Sequence, residues 1–348
     1  MIEEANSEVR DYARAVTLKP DDLPPLKALP GKQFPWFIKL MHEILASKAR
    51  AGNLLLPNMQ ASGNKSVGVY SDYGGEHSGS SFYTYSILLT NTNPLECSWL
   101  GELRQRYGLG TTEIAFKNLS FGPADRALSA YLANVDLSVV GLLCTLVVDK
   151  GLRSLFGAMG HNKNSLTKLL KESNLGEWKI APAEKLFRVT TIIAYLLGLL
   201  GDDEQRLFWM TDHDAISPNA PKHREALDLL SRILPHYNQN SYKVYGGARP
   251  FEHTIENGGM YFTDFLSITD LAAGALEQYF SSDRKTQGRP VGKEGSDKVL
   301  RWLAHQGVGL KKQTFLITIP GTASDTIEVS DVKLEDLHIP PDARKVTV

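Results

Sequence analysis

Ser66–Thr90 reads SVGVYSDYGGEHSGSSFYTYSILLT, and its alternation with a period of two decides the fold. SVGVYSDYGG is a short strand reaching Asp72, GEHSGS is a turn, and SFYTYSILLT is a second strand rich in β-branched and aromatic residues, so the segment is a β-hairpin. Downstream, TTEIAF at Thr111–Phe116 gives a third short strand. FGPADRALSAYLANVD starts a helix at Pro123, with Ala127, Leu128, Tyr131 and Leu132 on its apolar face. VVGLLCTLVVDK is a nearly continuous apolar run, the pattern of a central strand buried on both faces. Gly151–Pro182, rich in Gly, Asn, Ser and Lys, reads as an insertion, and Glu184–Leu200 returns as an apolar helix. RLFWMTDHD is a fifth strand, KHREALDLLSRIL an amphipathic helix, and FTDFLSITDLAAGALEQYF a long closing helix.

Outside this core lie two additions. Residues 1–65 hold a polar helix around Ile2–Val16, a Pro-rich stretch that cannot stay helical, and a helix in PWFIKLMHEILASKARAG that stops at Gly52. The apolar stripe of that helix, Phe37, Leu40, Met41, Ile44 and Leu45, needs a cover, which predicts a helical layer outside the sheet serving a protein partner or a second copy of the chain. Residues 282–348 read as a polar linker, a helix at Ser296–Gln306 and a strand-like TFLITIP. The core itself spans 66–281, with its insertion at about 151–182. A hairpin feeding strands that alternate with helices is an α/β mixed sheet, antiparallel then parallel, flanked by helices, and this is the order of the RNase H-like fold.

Composition sets limits on function. With 42% hydrophobic and 22% charged residues among 348, the chain is globular and long enough to bury a sizeable core. A net charge of -1 lacks the cationic surplus of proteins that coat nucleic acid non-specifically, yet it suits a site where carboxylate-bound metal carries the positive charge. Cys97 and Cys144 have no short-spaced partners for a zinc site. MIEEANSEVR is acidic where a signal peptide is basic, and IIAYLLGLLG at Ile192–Gly201, about ten residues, falls short of the roughly 20 needed to span a bilayer. A soluble cytoplasmic protein without membrane contact is expected.

The acidic residues stand out by position. Asp72 ends the first strand, Glu113 lies in the third, Asp212 and Asp214 end the fifth, and Asp270 lies in the last helix. Hard Mg²⁺ or Mn²⁺ takes oxygen ligands from several rigid elements, so this is where a two-metal phosphoryl-transfer site would draw them. Strand alternation puts Glu113 and Lys117 on one face, with Lys117 able to touch a substrate phosphate. Asp212 and Asp214 share a face if extended geometry persists, with His213 opposite as a possible substrate contact; Asp214 could equally cap the next segment. Ser267, Ala273 and Gly274 surround Asp270 at helical spacing and would let metal or backbone approach. Each acid alone has a plain alternative as turn former or solvated residue. GGEHSGSS lacks the Gly-Lys-Ser/Thr ending of a P-loop and joins two strands, while no G-x-S-x-G or H-E-x-x-H string occurs.

Three of these stretches resemble the domain-of-unknown-function 3800 family, an RNase H-like group, over roughly Val67–Phe280. SDYGG resembles its Asp-Glu-Ser-Gly opening, TEIAFKNL its Glu-x-Lys-Phe stretch, and SITDLAAGAL its Gln-x-Ala-Asp-x-x-Ala-Gly helix. The resemblance implies that Asp72, Glu113, Asp212 or Asp214, and Asp270 hold metal-ligand positions of an RNase H-like nuclease. Tyr73 stands where the family has a second acid, and Thr269 where it has Ala. The expected function is metal-dependent cleavage of nucleic acid, with Asp72 and Asp270 at one metal and Glu113 and Asp212 at the other. A non-catalytic scaffold that kept the fold is the alternative.

Overall fold

The computed structural model describes residues 34–332 apart from 58, 60–64, 121, 153, 157–163, 203, 238–241, 249–258, 287–293 and 319–327. The polar helix expected at Ile2–Val16 lies outside the described residues. The strands are β1 Ser66–Gly74, β2 Phe82–Thr90, β3 Gly141–Asp149, β4 Arg206–Thr211, β5 Lys243–Ala248, β6 Leu310–Thr318 and β7 Glu328–Asp331. They form one sheet in the order β5-β4-β1-β2-β3-β6-β7. β1, β2 and β3 run antiparallel in succession, while β4 is parallel to β1, β5 to β4 and β6 to β3. The helices are α1 Trp36–Arg50, α2 Ser98–Tyr107, α3 Pro123–Ser138, α4 Ser165–Glu172, α5 Ile180–Leu200, α6 Ala220–Tyr237, α7 Gly259–Thr286 and α8 Glu294–Ala304.

Side-chain alternation divides the core into two layers. On β3, Leu142, Cys144, Leu146 and Val148 pack in one cluster with α1, α5 and α6, and Leu143 and Val147 in the other with α2, α3, α7 and α8. That is why the apolar run around Cys144 shows no alternation: both of its faces are covered. From Ala183 to Leu200 nearly every residue of α5 is buried, so the most apolar stretch of the chain is a core helix. Among the described residues, no helix is long and apolar enough to cross a membrane.

Three expectations change. TTEIAF forms no strand: Gly108, in the left-handed region at φ 62°, ends α2, and Ile114 is buried beneath the helices without pairing at a sheet edge. The third sheet position belongs to Gly141–Asp149, paired with β2 over its whole length, which makes RLFWMT the fourth strand. The C-terminal strand does not stand apart either, because β6 extends the sheet beside β3. Finally, the stripe of α1 is covered by the chain itself. Phe37, Ile38 and Met41 are fully buried in the same cluster as β1 and β3, and Phe37 meets the ring of Phe156 edge-on. A partner is therefore not required to shield it.

Candidate functional site

The carboxylates gather where β1 and β4 end and α7 crosses them. Asp72 faces α7 from β1, paired in register with Ser86 of β2, and is buried. The hairpin turns at once: Gly75 has φ +86°, and a Cβ there would stand 1.9 Å from the Phe82 carbonyl oxygen, so only glycine fits. On α7, Gly274 lets the short 3₁₀ turn Phe116–Asn118 lie against the helix, since a Cβ would meet the Phe116 ring at 2.4 Å. In that contact the Phe116 N–H donates to Asp270 Oδ2 at 2.5 Å. The small residue beside Asp270 thus admits the Phe116 side chain, which brings that residue's N–H to the carboxylate.

Glu113 reaches the site on the loop before this turn. Its Oε2 lies 3.6 Å from Lys117 Nζ, a pair set by four-residue spacing through the turn and not by strand alternation. Asp72, Glu113, Lys117, Asp212 and Asp270 line one recess of about 120 Å³, together with Thr263 and Ser267 of α7. Asp214 and His213 are absent from it. β4 stops at Thr211, and the extended geometry that would align Asp212 with Asp214 stops with it. Asp214 Oδ1 accepts the N–H groups of Ile216 and Ser217, at 2.9 and 3.3 Å, while Oδ2 pairs with Lys185. It organises the loop after β4. His213 is exposed. Asp149 is a turn residue, accepting the Gly151 N–H at 2.8 Å.

One pair escaped the sequence reading. Arg104 of α2 grips Asp264 of α7 with two hydrogen bonds, at 2.6 and 2.8 Å, and its remaining nitrogen donates to the Gly110 carbonyl at 2.8 Å. Both side chains are buried. This clamp fixes the loop that carries Glu113 to the helix that carries Asp270. Asp264 lies six residues before Asp270 in the apolar first turns of the helix, between Phe262 and Phe265, a signal that attention to the motif alone passes over.

The electrostatics are those of crowded negative charge. Burial, then the charges of Asp270 and Asp212, push the Asp72 pKa well above the usual carboxylate range, and they outweigh the Tyr73 N–H and Lys185. Burial likewise raises Asp212, with Asp214 adding to it and His213 and Lys117 opposing. The donor set is all oxygen, drawn from two strand ends, a loop and a helix, and it fits a hard divalent cation. As the side chains stand, however, no group of three or more His, Cys, Asp or Glu among the described residues is arranged to hold a metal ion. No family model matches the chain, and no curated protein matches it either.

Proposed function

We propose that the chain is a Mg²⁺- or Mn²⁺-dependent nuclease with an RNase H-like core, as its resemblance to the domain-of-unknown-function 3800 family implies. One observation carries the reading: Asp72 is buried beside Asp270 and Asp212, at a cost that a bound cation would remove. Asp72 and Asp270 would hold one ion, and Glu113 and Asp212 a second. Bound ions of this kind polarise a phosphate and acidify a water. Lys117, exposed at the rim, would meet a non-bridging phosphate oxygen and release Glu113 as it does so. Tyr73 supplies no second acid at the strand end, because its hydroxyl turns away to Ser71 and Thr211. The antiparallel β1–β2–β3 followed by parallel β4 and β5, each preceded by helix, supports the fold assignment. Two buried free thiols, with pKa values pushed by burial up to about 11 and 12, fit a reducing cytoplasm.

Incubating the purified chain with single-stranded, double-stranded and hybrid DNA and RNA tests this. Cleavage is expected with Mg²⁺ or Mn²⁺ but not with Ca²⁺, whose looser coordination positions water poorly. Asp270→Asn should abolish it and Asp149→Asn should spare it. No cleavage of any substrate with either metal would overturn the proposal. The absence of a ready-made three-ligand cluster among the described residues favours a second reading, a scaffold that binds nucleic acid or protein without cutting.

A further inference from the structure

Asp72 and Tyr73 are neighbours whose side chains leave β1 on opposite faces, and behind Tyr73 lies a second, larger cavity of about 280 Å³. Its wall is aromatic. Tyr73 stands opposite Tyr85 of β2 in register, and Tyr83 follows on the same face, with ring centroids 6.0 and 6.5 Å apart along the row. Its floor is α5, which presents Lys185 and Arg188.

Both cations are already engaged. Lys185 pairs with Glu76 and Asp214 and lies 4.3 Å from the centre of the Tyr73 ring. Arg188 donates to the Tyr85 hydroxyl at 2.9 Å and to Glu184 at 2.5 Å. With Glu76, Glu184 and Asp214 against Lys185, Arg188 and Lys150, which lies 4.9 Å from the centre of the Tyr83 ring, the charges balance and leave no surplus cation for a phosphate. Rings already faced by the chain's own cations are poorly placed to cage another. What remains is a row of tyrosine rings tilted 58° and 43° to one another, each offering a single face, the carboxylate acceptors of Glu76 and Glu184, and the buried guanidinium of Arg188, whose Nε–H has no acceptor among the described residues. The complement is a flat, neutral ring with an N–H donor next to a carbonyl acceptor.

We infer that this cavity receives one unpaired nucleobase of the lactam type, thymine, uracil or guanine, from a single strand that bends around the end of β1. The inference rests on the nuclease reading, in which the same strand presents its phosphate to Asp72 on the other face.

Fluorescence anisotropy with the full chain in EDTA, using labelled oligo-dT, oligo-rU and oligo-dA of roughly 12 nucleotides, reads binding without cleavage. Oligo-dT and oligo-rU should bind about tenfold tighter than oligo-dA, and Tyr83→Ala should remove most of that difference, as loss of one stacked base does. Tyr83→Phe keeps the ring and should keep the preference; Glu76→Gln, on a half-exposed side chain, should weaken oligo-dT and oligo-rU alone. A stronger response of rU than dT names RNA as the source, and the reverse names DNA. Equal binding of all three oligomers, or a preference untouched by Tyr83→Ala, overturns the inference. A wild type that cuts with Mg²⁺ yet shows no base preference sinks the cavity assignment alone; a base preference in a protein that never cuts sinks the nuclease reading alone.

Discussion

The acid recess and the tyrosine cavity share a strand end, yet they treat charge in opposite ways. In the cavity, burial lowers the Lys185 pKa while Asp214 and Glu76 more than restore it, and Arg188 is held by Tyr85 and Glu184. In the recess, burial and the charges of Asp270 and Asp212 raise the proton affinity of Asp72, burial and Asp214 raise that of Asp212, and Lys117 opposes the latter from an exposed rim. Compensated charge is tolerated in a folded core, whereas crowded charge of one sign weakens it unless a ligand of opposite sign arrives. This contrast is why we propose a cation for the recess and a neutral ligand for the cavity.

Experiments can break that contrast at several points. The largest effect is expected from Asp270→Asn, which should cut cleavage by about a thousandfold or more, roughly 4 kcal/mol of barrier, with an unchanged circular dichroism spectrum. Retained activity would move the chemistry out of the recess. Next comes Arg104→Ala, which strands Asp264 without its partner in the core. Urea titration should show a loss of about 3–5 kcal/mol, and a loss near zero would mean that the clamp is idle.

A smaller effect has the opposite sign. Asp72→Asn should raise the stability of the metal-free protein by on the order of 1–3 kcal/mol at neutral pH, because it removes a buried charge repelled by its neighbours. The sign of the pH dependence is fixed by the same two acids. Asp72 and Asp212 have folded pKa values above their unfolded ones, so their contribution is fully present below about pH 3.9, the unfolded value, and is lost as pH rises through the folded pKa values. Thermal melts in EDTA should then show the advantage of Asp72→Asn growing as pH climbs from about 4 towards neutrality. Lys117→Ala should do least, changing stability by under about 0.5 kcal/mol because its ion pair is exposed, while raising KM several-fold. An effect on kcat alone would place Lys117 away from substrate binding.

Much of this is legible in the chain. Ser66–Thr90, the apolar run at Cys144 and the long helix around Asp270 carry their periods openly, because one face or both must be buried. The acids at Asp72, Asp212 and Asp270 can be read as converging since each sits at a strand end or on a core-facing helix. Glu113 reaches the expected place by a different route: TTEIAF has strand composition, but Ile114 anchors a loop that the Arg104–Asp264 clamp holds, and such a long-range pair leaves no local pattern. The alternation that would align Asp214 with Asp212 ends with β4 at Thr211, which no residue type announces. β5 gives no strand signal because KVYGGA is short and glycine-rich. In β6, Lys311, Lys312 and Gln313 are buried; Lys312 contacts Asp136, and burial pushes its pKa down to about 8. Polar residues that pair only in the folded chain hide the first half of this strand, while its second half, TFLIT, is legible as a strand.

Thermal melting with and without Mg²⁺ or Mn²⁺, for the wild type and Asp72→Asn, tests the central claim without relying on activity. The cation should raise the wild-type melting temperature at neutral pH and raise it less at acidic pH, where protonated acids cannot bind metal, and it should leave Asp72→Asn nearly unmoved. A wild type indifferent to both metals, or an Asp72→Asn variant stabilised as much as the wild type, would contradict the assignment of the recess as a metal site.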